Sequence, residues 1–286
     1  MHTTEIDDRQ ATLAAEGKLA DWTPEYDAAG ESYDSVYSEF IGKQGAQLVA
    51  ALGVEPGNRV LELGCGTGFL TLEVAEQLNG RGEIVVTDTS MGMLGVARGK
   101  FAELEGVVVE THNVDMLSLM RQTASASVDV VLCGWAICYT DPSQFFQEAA
   151  RVLRPGGVVG VIESAADAFN NVNDAYAEVL KSDPSFMTKA IHLNLPTDVA
   201  AVEQWMADAG LEPTSSWSGS EAISFDSPES MLLWMNAGAQ GAGYLDAIDE
   251  DRLDDFIDRM LARLRTNPEM RLVHTFVAAV ARRRDG

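Results

Sequence analysis

The chain has no apolar run of the ~18 residues that a membrane-spanning helix needs. Its first ten residues, MHTTEIDDRQ, are acidic and hold no apolar stretch that would serve as a signal peptide. Cysteine is scarce: three in 286 residues is an odd number with no disulfide framework, which fits a reducing cytoplasm. Positive charge is also scarce. Twenty basic residues, only five of them Lys, stand against 44 acidic ones, giving a formal net charge of −24. A surface of that sign repels phosphate backbones and argues against a DNA or RNA partner. The acidity reads as a solubilising surface rather than a dock for a cationic partner. Internal repeats and low-complexity segments are also missing. What is present is 46% apolar residues, enough for a substantial core, and a length that suits one large α/β domain with additions.

The stretch that organises the rest is Val60-Leu61-Glu62-Leu63-Gly64-Cys65-Gly66-Thr67-Gly68. Apolar strand character runs into Gly-x-Gly-x-Gly, and a helical pattern starts at once at Phe69-Leu70. The glycines let the backbone turn tightly and let a ligand approach without Cβ interference. The new helix offers unpaired N–H groups to an anionic group. A second strand, Glu83–Thr87, ends in Asp88, about 20 residues on, where an acid can hold a ribose diol. A third, Val107–Glu110, is followed by Asp115-Met116. The glycine spacing differs from the G-x-G-x-x-G of dinucleotide enzymes, which disfavours a nicotinamide dehydrogenase.

Together these segments resemble the class I S-adenosylmethionine-dependent methyltransferases, in particular the small-molecule group that includes the ubiquinone and menaquinone enzymes. VLELGCGTG at 60–68 is similar to their first motif, and Asp88-Thr89-Ser90-Met91-Gly92-Met93-Leu94 to their second. Arg151-Val152-Leu153-Arg154-Pro155-Gly156-Gly157 is similar to the motif before their fifth strand. The likeness covers about residues 24–164 well and the rest loosely. It implies an α/β fold: a Rossmann-like, seven-stranded, mostly parallel sheet with helices on both faces and an antiparallel last strand. It implies S-adenosylmethionine as cofactor, S-adenosylhomocysteine as product, and a small-molecule acceptor. By the same resemblance Glu62 and the Gly64–Gly66 backbone, with Cys65, hold the methionine part. Asp88 takes the ribose hydroxyls, with Thr89 and Met93 of the same motif beside it. Asp115 takes the adenine amino group, with Met116 donating from its backbone, and Cys133 lends its carbonyl to the ammonium. Tyr33-Asp34 resembles the family's lid element; the other reading is that these tyrosines pin an N-terminal helix to the sheet.

The remainder is read from local pattern. Residues 1–22 form a polar helix or a frayed tail, and a helix covers 35–53, stopped by Gly53 and Pro56. Strand four, Val128–Cys133, is apolar without alternation, as expected for a strand covered on both faces. Asp141-Pro142 caps the next helix, and Pro155-Gly156-Gly157 ends it before strand five at Val158–Glu163. A helix and a loop fill 165–195, Thr197 caps a helix that ends at Gly210, and strand six lies within 211–225. Residues 227–267 read as two helices, 228–236 and 249–266, joined by a plain glycine-rich linker at 238–243, and Leu272–Val280 closes the sheet. Arg282-Arg283-Arg284 reads as a tail. The expected layout is an N-terminal lid (1–45), a cofactor-binding core (46–226), a helical insert capping the acceptor pocket (227–267) and the last strand with its tail (268–286).

Candidate bases near the strand ends are His192, Tyr139 and Glu163, with Trp135, Tyr139 and Met235 as candidate walls of an acceptor pocket. The three cysteines read as small buried residues, and no zinc-type spacing is present. Two alternatives stay open: a protein of the same fold that uses the cofactor for another reaction such as a cyclisation, or a module that dimerises through the Leu253–Leu264 stripe.

Overall fold

The computed structural model describes residues 3–266 and 270–284. Its strands are Arg59–Leu63 (β1), Gly82–Thr87 (β2), Val107–His112 (β3), Val128–Gly134 (β4), Leu153–Ser164 (β5), Leu211–Ser224 (β6) and Arg271–Arg283 (β7). They form one sheet in the order β3-β2-β1-β4-β5-β7-β6. The first five strands run parallel, and β7 is inserted antiparallel between β5 and β6. The helices are α1 (Thr3–Ala15), α2 (Thr23–Ala29), α3 (Glu39–Leu52), α4 (Phe69–Leu78), α5 (Met91–Phe101), α6 (Met116–Gln122), α7 (Pro142–Val152), α8 (Asn170–Ser182), α9 (Val199–Asp208), α10 (Pro228–Ala237) and α11 (Leu253–Leu264).

Central β4 shows why the sheet is buried on both faces. Val131 and Cys133 pack into one apolar cluster with Phe145, Phe146 and Val152 of α7. Val130 and Leu132, pointing the other way, join Leu48 of α3 and Val74 of α4. A strand with a core on each side carries apolar residues without alternation, and period-two side-chain direction then sorts them between the two layers.

The helix signals act as their chemistry dictates. Gly53 ends α3 in a left-handed conformation, Ser90 caps α5 by accepting from Met93 N–H, and Asp141 caps α7 with Pro142 in its first turn. Several expectations are corrected. Asp198, not Thr197, caps α9, because its carboxylate reaches the Ala201 N–H. β5 starts at Leu153: it pairs with Val128, a bulge holds residues 154–157, and pairing resumes at Val158. Arg154 locks that bulge by gripping both oxygens of Asp129, whose carboxylate also accepts from the Arg59 N–H. Arg151 donates to the Met120 and Thr123 carbonyls and so ties α7 to the end of α6. Arg282 and Arg283 belong to β7 and are no tail; Arg283 donates to the Leu153 carbonyl. α6, absent from the sequence reading, starts on the Asp115 cap.

The segment between β6 and β7 is a hairpin with a helical insert: Ser224 and Arg271 are direct partners across the strands. α10 and α11 fold back over the carboxyl ends of the strands. They share one apolar cluster with Leu13 of α1 and with Val172, Tyr176 and Val179 of α8. Of the Leu253–Leu264 stripe considered for dimerisation, Phe256, Met260 and Leu264 are buried within the chain, while Leu253, Ile257 and Leu261 are half-buried. Phe256 is fully buried, with ring centroids 5.0 Å from Tyr176 and 5.3 Å from Phe186. Phe256→Ala is expected to cost about 3 kcal/mol and to lower the Tm by about 6–10 °C, read by thermal melts. The sheet core is untouched by this change.

Candidate active site

The strand order reverses between β1 and β4, and the crevice beyond their carboxyl ends is where open α/β sheets bind ligands. A cavity of about 220 Å³ lies there, lined by Glu62, Gly64, Cys65, Gly66, Asp88, Thr89, Met93, Asp115, Met116 and Tyr33. Ten of the eleven residues expected at the cofactor therefore face one space. The eleventh, Cys133, is fully buried and does not line it. The Trp135 N–H donates to the Ile162 carbonyl on β5. Strand alternation then turns the Cys133 peptide the same way and the Gly134 peptide toward β1, and Gly134 is the residue that lines the cavity.

Asp88 sits where the first strand opens. Its Oδ2 accepts from the Gly66 N–H at 2.8 Å and its Oδ1 from the Ser90 N–H at 2.9 Å, so the acid shapes the glycine turn. Burial pushes the Asp88 carboxyl up, against the pull of those amides. Glu62 accepts from the Thr71 hydroxyl at 2.7 Å, and burial raises its carboxyl to about 8. Burial would raise Asp115 too, but the hydroxyl and N–H of Ser118 hold it below the usual carboxylate range. Gly64 has φ +75°, and a Cβ there would come 2.4 Å from the Ala136 methyl. Gly64→Ala must therefore shift the turn that carries Glu62 and Gly66. An S-adenosylmethionine affinity at least ~10-fold weaker is expected by calorimetry, together with the ~1–2 kcal/mol strain of a left-handed alanine.

The N-terminal segment lies over this cavity. Asp34 opens a π-helical turn, Asp34–Ser38, and ties it to the glycine loop and to α5: it accepts from the Thr67 hydroxyl and pairs with Lys100, both at 2.5 Å. Asp27 of α2 accepts from the Ser90 hydroxyl and the Gly92 N–H. Tyr33 and Tyr26 thereby face inward.

A second cavity, about 450 Å³, adjoins the first, and Tyr26, Tyr33, Trp135 and Tyr139 line both. The Tyr26 and Tyr139 hydroxyls are 2.8 Å apart. Trp135 has φ +59°, an uncommon conformation for a bulky residue. Its ring is held between the cavities against His274 (5.1 Å) and Phe276 (6.0 Å). Glu163 lies at the inner wall of the second cavity, where it accepts from the Cys138 N–H at 3.1 Å and from its neighbour Ser164 N–H at 2.8 Å. Burial raises its carboxyl to about 7, partly offset by those amides. Burial raises the Tyr139 hydroxyl well above the usual range, so it keeps its proton at neutral pH.

Met235 joins the wall as expected, and so do Gln240 and Gly241. The glycine-rich joint is thus part of the pocket, not a plain linker. Ala239 and Ala242 pack on Trp22, Tyr26 and Tyr33, and the Gly243 N–H donates to Glu25. His192 is exposed near Asp141 and lines neither cavity, because the loop carrying it turns only Leu193 and Leu195 inward. The buried histidine is His274 on β7. It stacks on Phe169 at 4.9 Å, lies 2.8 Å from the Ser164 hydroxyl, and burial holds its pKa at about 4. A histidine inside the apolar run 272–281 was the available signal for it. Tyr26, within the aromatic stretch 22–37, was likewise legible but not singled out.

The first cavity fits a cationic nucleotide: Glu62, Asp88 and Asp115 line it, and among the described residues no Lys, Arg or His does. Known proteins agree. A family model described as a methyltransferase domain matches residues 60–157. A ubiquinone/menaquinone biosynthesis C-methyltransferase of Vibrio campbellii is 30% identical over 175 residues, 57% of this chain and 67% of that protein. The chain belongs to the class I S-adenosylmethionine-dependent methyltransferases, and S-adenosylmethionine is its cofactor. Similarity extends to a malonyl-[acyl-carrier protein] O-methyltransferase of Marinomonas sp., 27% identical over 72% of each chain. In fold it resembles the putative methyltransferase solved with the Trm112 methyltransferase activator of Haloferax volcanii. That likeness has TM-score 0.55 and 20% identity, and covers 93% of this chain and 99% of the other. Among the described residues no helix is long and apolar enough to cross a membrane.

Proposed function

We propose that the chain methylates a small organic acceptor seated in the second cavity, in the cytoplasm where its three free cysteines stay reduced. The observation that carries this reading is the shared wall: four aromatic residues border both cavities, so two ligands can meet there. In the first cavity Asp88 would hold the ribose hydroxyls, Glu62 and the Gly64–Gly66 backbone the methionine part, and Asp115 with Met116 the adenine. Thr89 and Met93 complete that wall. The cofactor supplies a methyl carbon already activated by positive sulfur.

The chain's own residues supply alignment and a proton acceptor. Closure of residues 22–37 over the glycine loop excludes water and fixes the line of approach, the main catalytic resource for an in-line displacement. Glu163, near neutrality, is matched to take a proton from an acceptor at working pH. The Tyr26–Tyr139 pair orients the reacting group beside it. A crystal of the complex with S-adenosylhomocysteine tests the reading: its sulfur should face the opening bordered by Tyr26, Tyr33, Trp135 and Tyr139. A sulfur turned toward α5 would sink it.

A further inference from the structure

Charge in the second cavity is one-sided. Among the described residues no Lys, Arg or His lines it, and its acids are Glu163 at the inner wall and Glu229 at the rim. Glu229 already has a cation, Arg265. Glu163 has none: its oxygens meet only backbone amides and the Cys138 thiol, and it is 2% exposed. A buried carboxylate without a cation is costly, and an arriving cation removes that cost. The rings around it suit the same guest. Tyr26, Tyr33, Tyr37 and Tyr139 all line this cavity; burial raises all four hydroxyls, with neighbouring groups, Glu163 among them, adding to it. Tyrosine faces attract ammonium groups, more strongly when desolvated. The first cavity repeats the pattern, acids with no basic residue, and its cofactor is a cation. A net charge of −24 adds a field of the same sign over the whole surface.

We propose that the acceptor is an amine on an apolar body, entering as an ammonium ion that pairs with Glu163 inside the tyrosine ring set. This deepens the reading above and rests on it. Val172, Leu193, Leu232, Ile257, Met260 and Leu261 line the rest of the cavity and receive the apolar body. A carboxylate or phosphate acceptor finds no cation there among the described residues, and a neutral alcohol leaves the Glu163 charge unanswered. The step balances. The ammonium gives one proton to Glu163. The freed nitrogen lone pair then forms the N–CH3 bond while the CH3–S bond breaks, its electron pair staying on sulfur. The positive charge passes from sulfur to the methylated nitrogen, and Glu163 later returns its proton to water.

Three probes of one shape test this on protein saturated with S-adenosylhomocysteine: 4-phenylbutylamine, 4-phenylbutan-1-ol and 4-phenylbutyrate, each titrated by calorimetry. The amine is expected to bind about 10-fold or more tighter than the alcohol, as a charge-assisted hydrogen bond requires, and the acid not measurably. Glu163→Gln should remove that advantage and leave alcohol and S-adenosylhomocysteine binding within about twofold, since it takes away only the charge term. Acid binding, equal amine and alcohol affinity, or no binding by any probe while S-adenosylhomocysteine binds, overturns the amine assignment alone. Failure of S-adenosylhomocysteine to bind overturns the methyltransferase site and this inference with it.

Discussion

Asp88→Ala is expected to weaken S-adenosylmethionine binding by about 100-fold or more. A carboxylate that takes two hydroxyls makes two charge-assisted hydrogen bonds, each worth about 1.5–3 kcal/mol. The same carboxylate holds the Gly66 and Ser90 N–H groups, so its loss also frees the glycine turn. Asp88→Asn separates the two effects. An amide has one acceptor oxygen in place of two, so it keeps one of the backbone bonds and loses the other along with the charge. Calorimetry should rank wild type above Asn above Ala. Thermal melts without ligand should show Ala no less stable than a few degrees below wild type, since Asp88 is a part-buried acid whose burial works against its ionised form. Unaltered affinity in the alanine variant would leave the first cavity without its ribose anchor.

Glu163→Gln is expected to lower kcat by about 100- to 10,000-fold, the usual range for loss of a positioned base, with S-adenosylmethionine affinity unchanged. In the wild type, kcat/KM should rise with pH through an apparent pKa of about 7, because the base must be ionised; in the variant that limb should vanish. Stability should move the opposite way. The folded-state pKa of Glu163 is raised above the unfolded value near 4.5. Below that value both states carry the proton and the group is neutral for stability. As pH rises from about 4.5 to about 7 the unfolded chain ionises and the folded one resists, so stability is lost. The glutamine variant escapes that loss. It should melt above wild type at pH 8 and with it at pH 4, and equal melting temperatures at both would show that Glu163 carries no burial cost.

What the sequence made legible follows from what acts locally. Gly64, Gly66, Asp88 and Asp115 are readable because turn, cap and strand end fall within a few residues of each other, and their chemistry is set by the backbone they sit on. Gly53, Ser90 and Asp141 worked as stops and caps for the same reason. The second cavity was less legible because it is assembled from α2, α8, α10 and the joint after it, segments spread from the N-terminal to the C-terminal part of the chain. His192 and His274 show the difference. His192 lies in an irregular loop and His274 inside an apolar strand, so burial of the second was readable, while its stacking on Phe169 is set by three-dimensional packing. Glu163 was legible as a strand-end acid, while the lack of any basic residue around it was not, since that is a property of a completed surface.

Ser224 and Arg271 face each other across neighbouring strands, so everything between them leaves and re-enters the sheet through one doorway. A short turn would bridge the same gap. The capping helices are in that sense an exchangeable part: with the acceptor seated as proposed, a different segment spliced at these two residues would alter the second cavity and leave the seven strands in register. Diversification of such an enzyme can proceed by replacing this one stretch, with the donor's grip inherited unchanged.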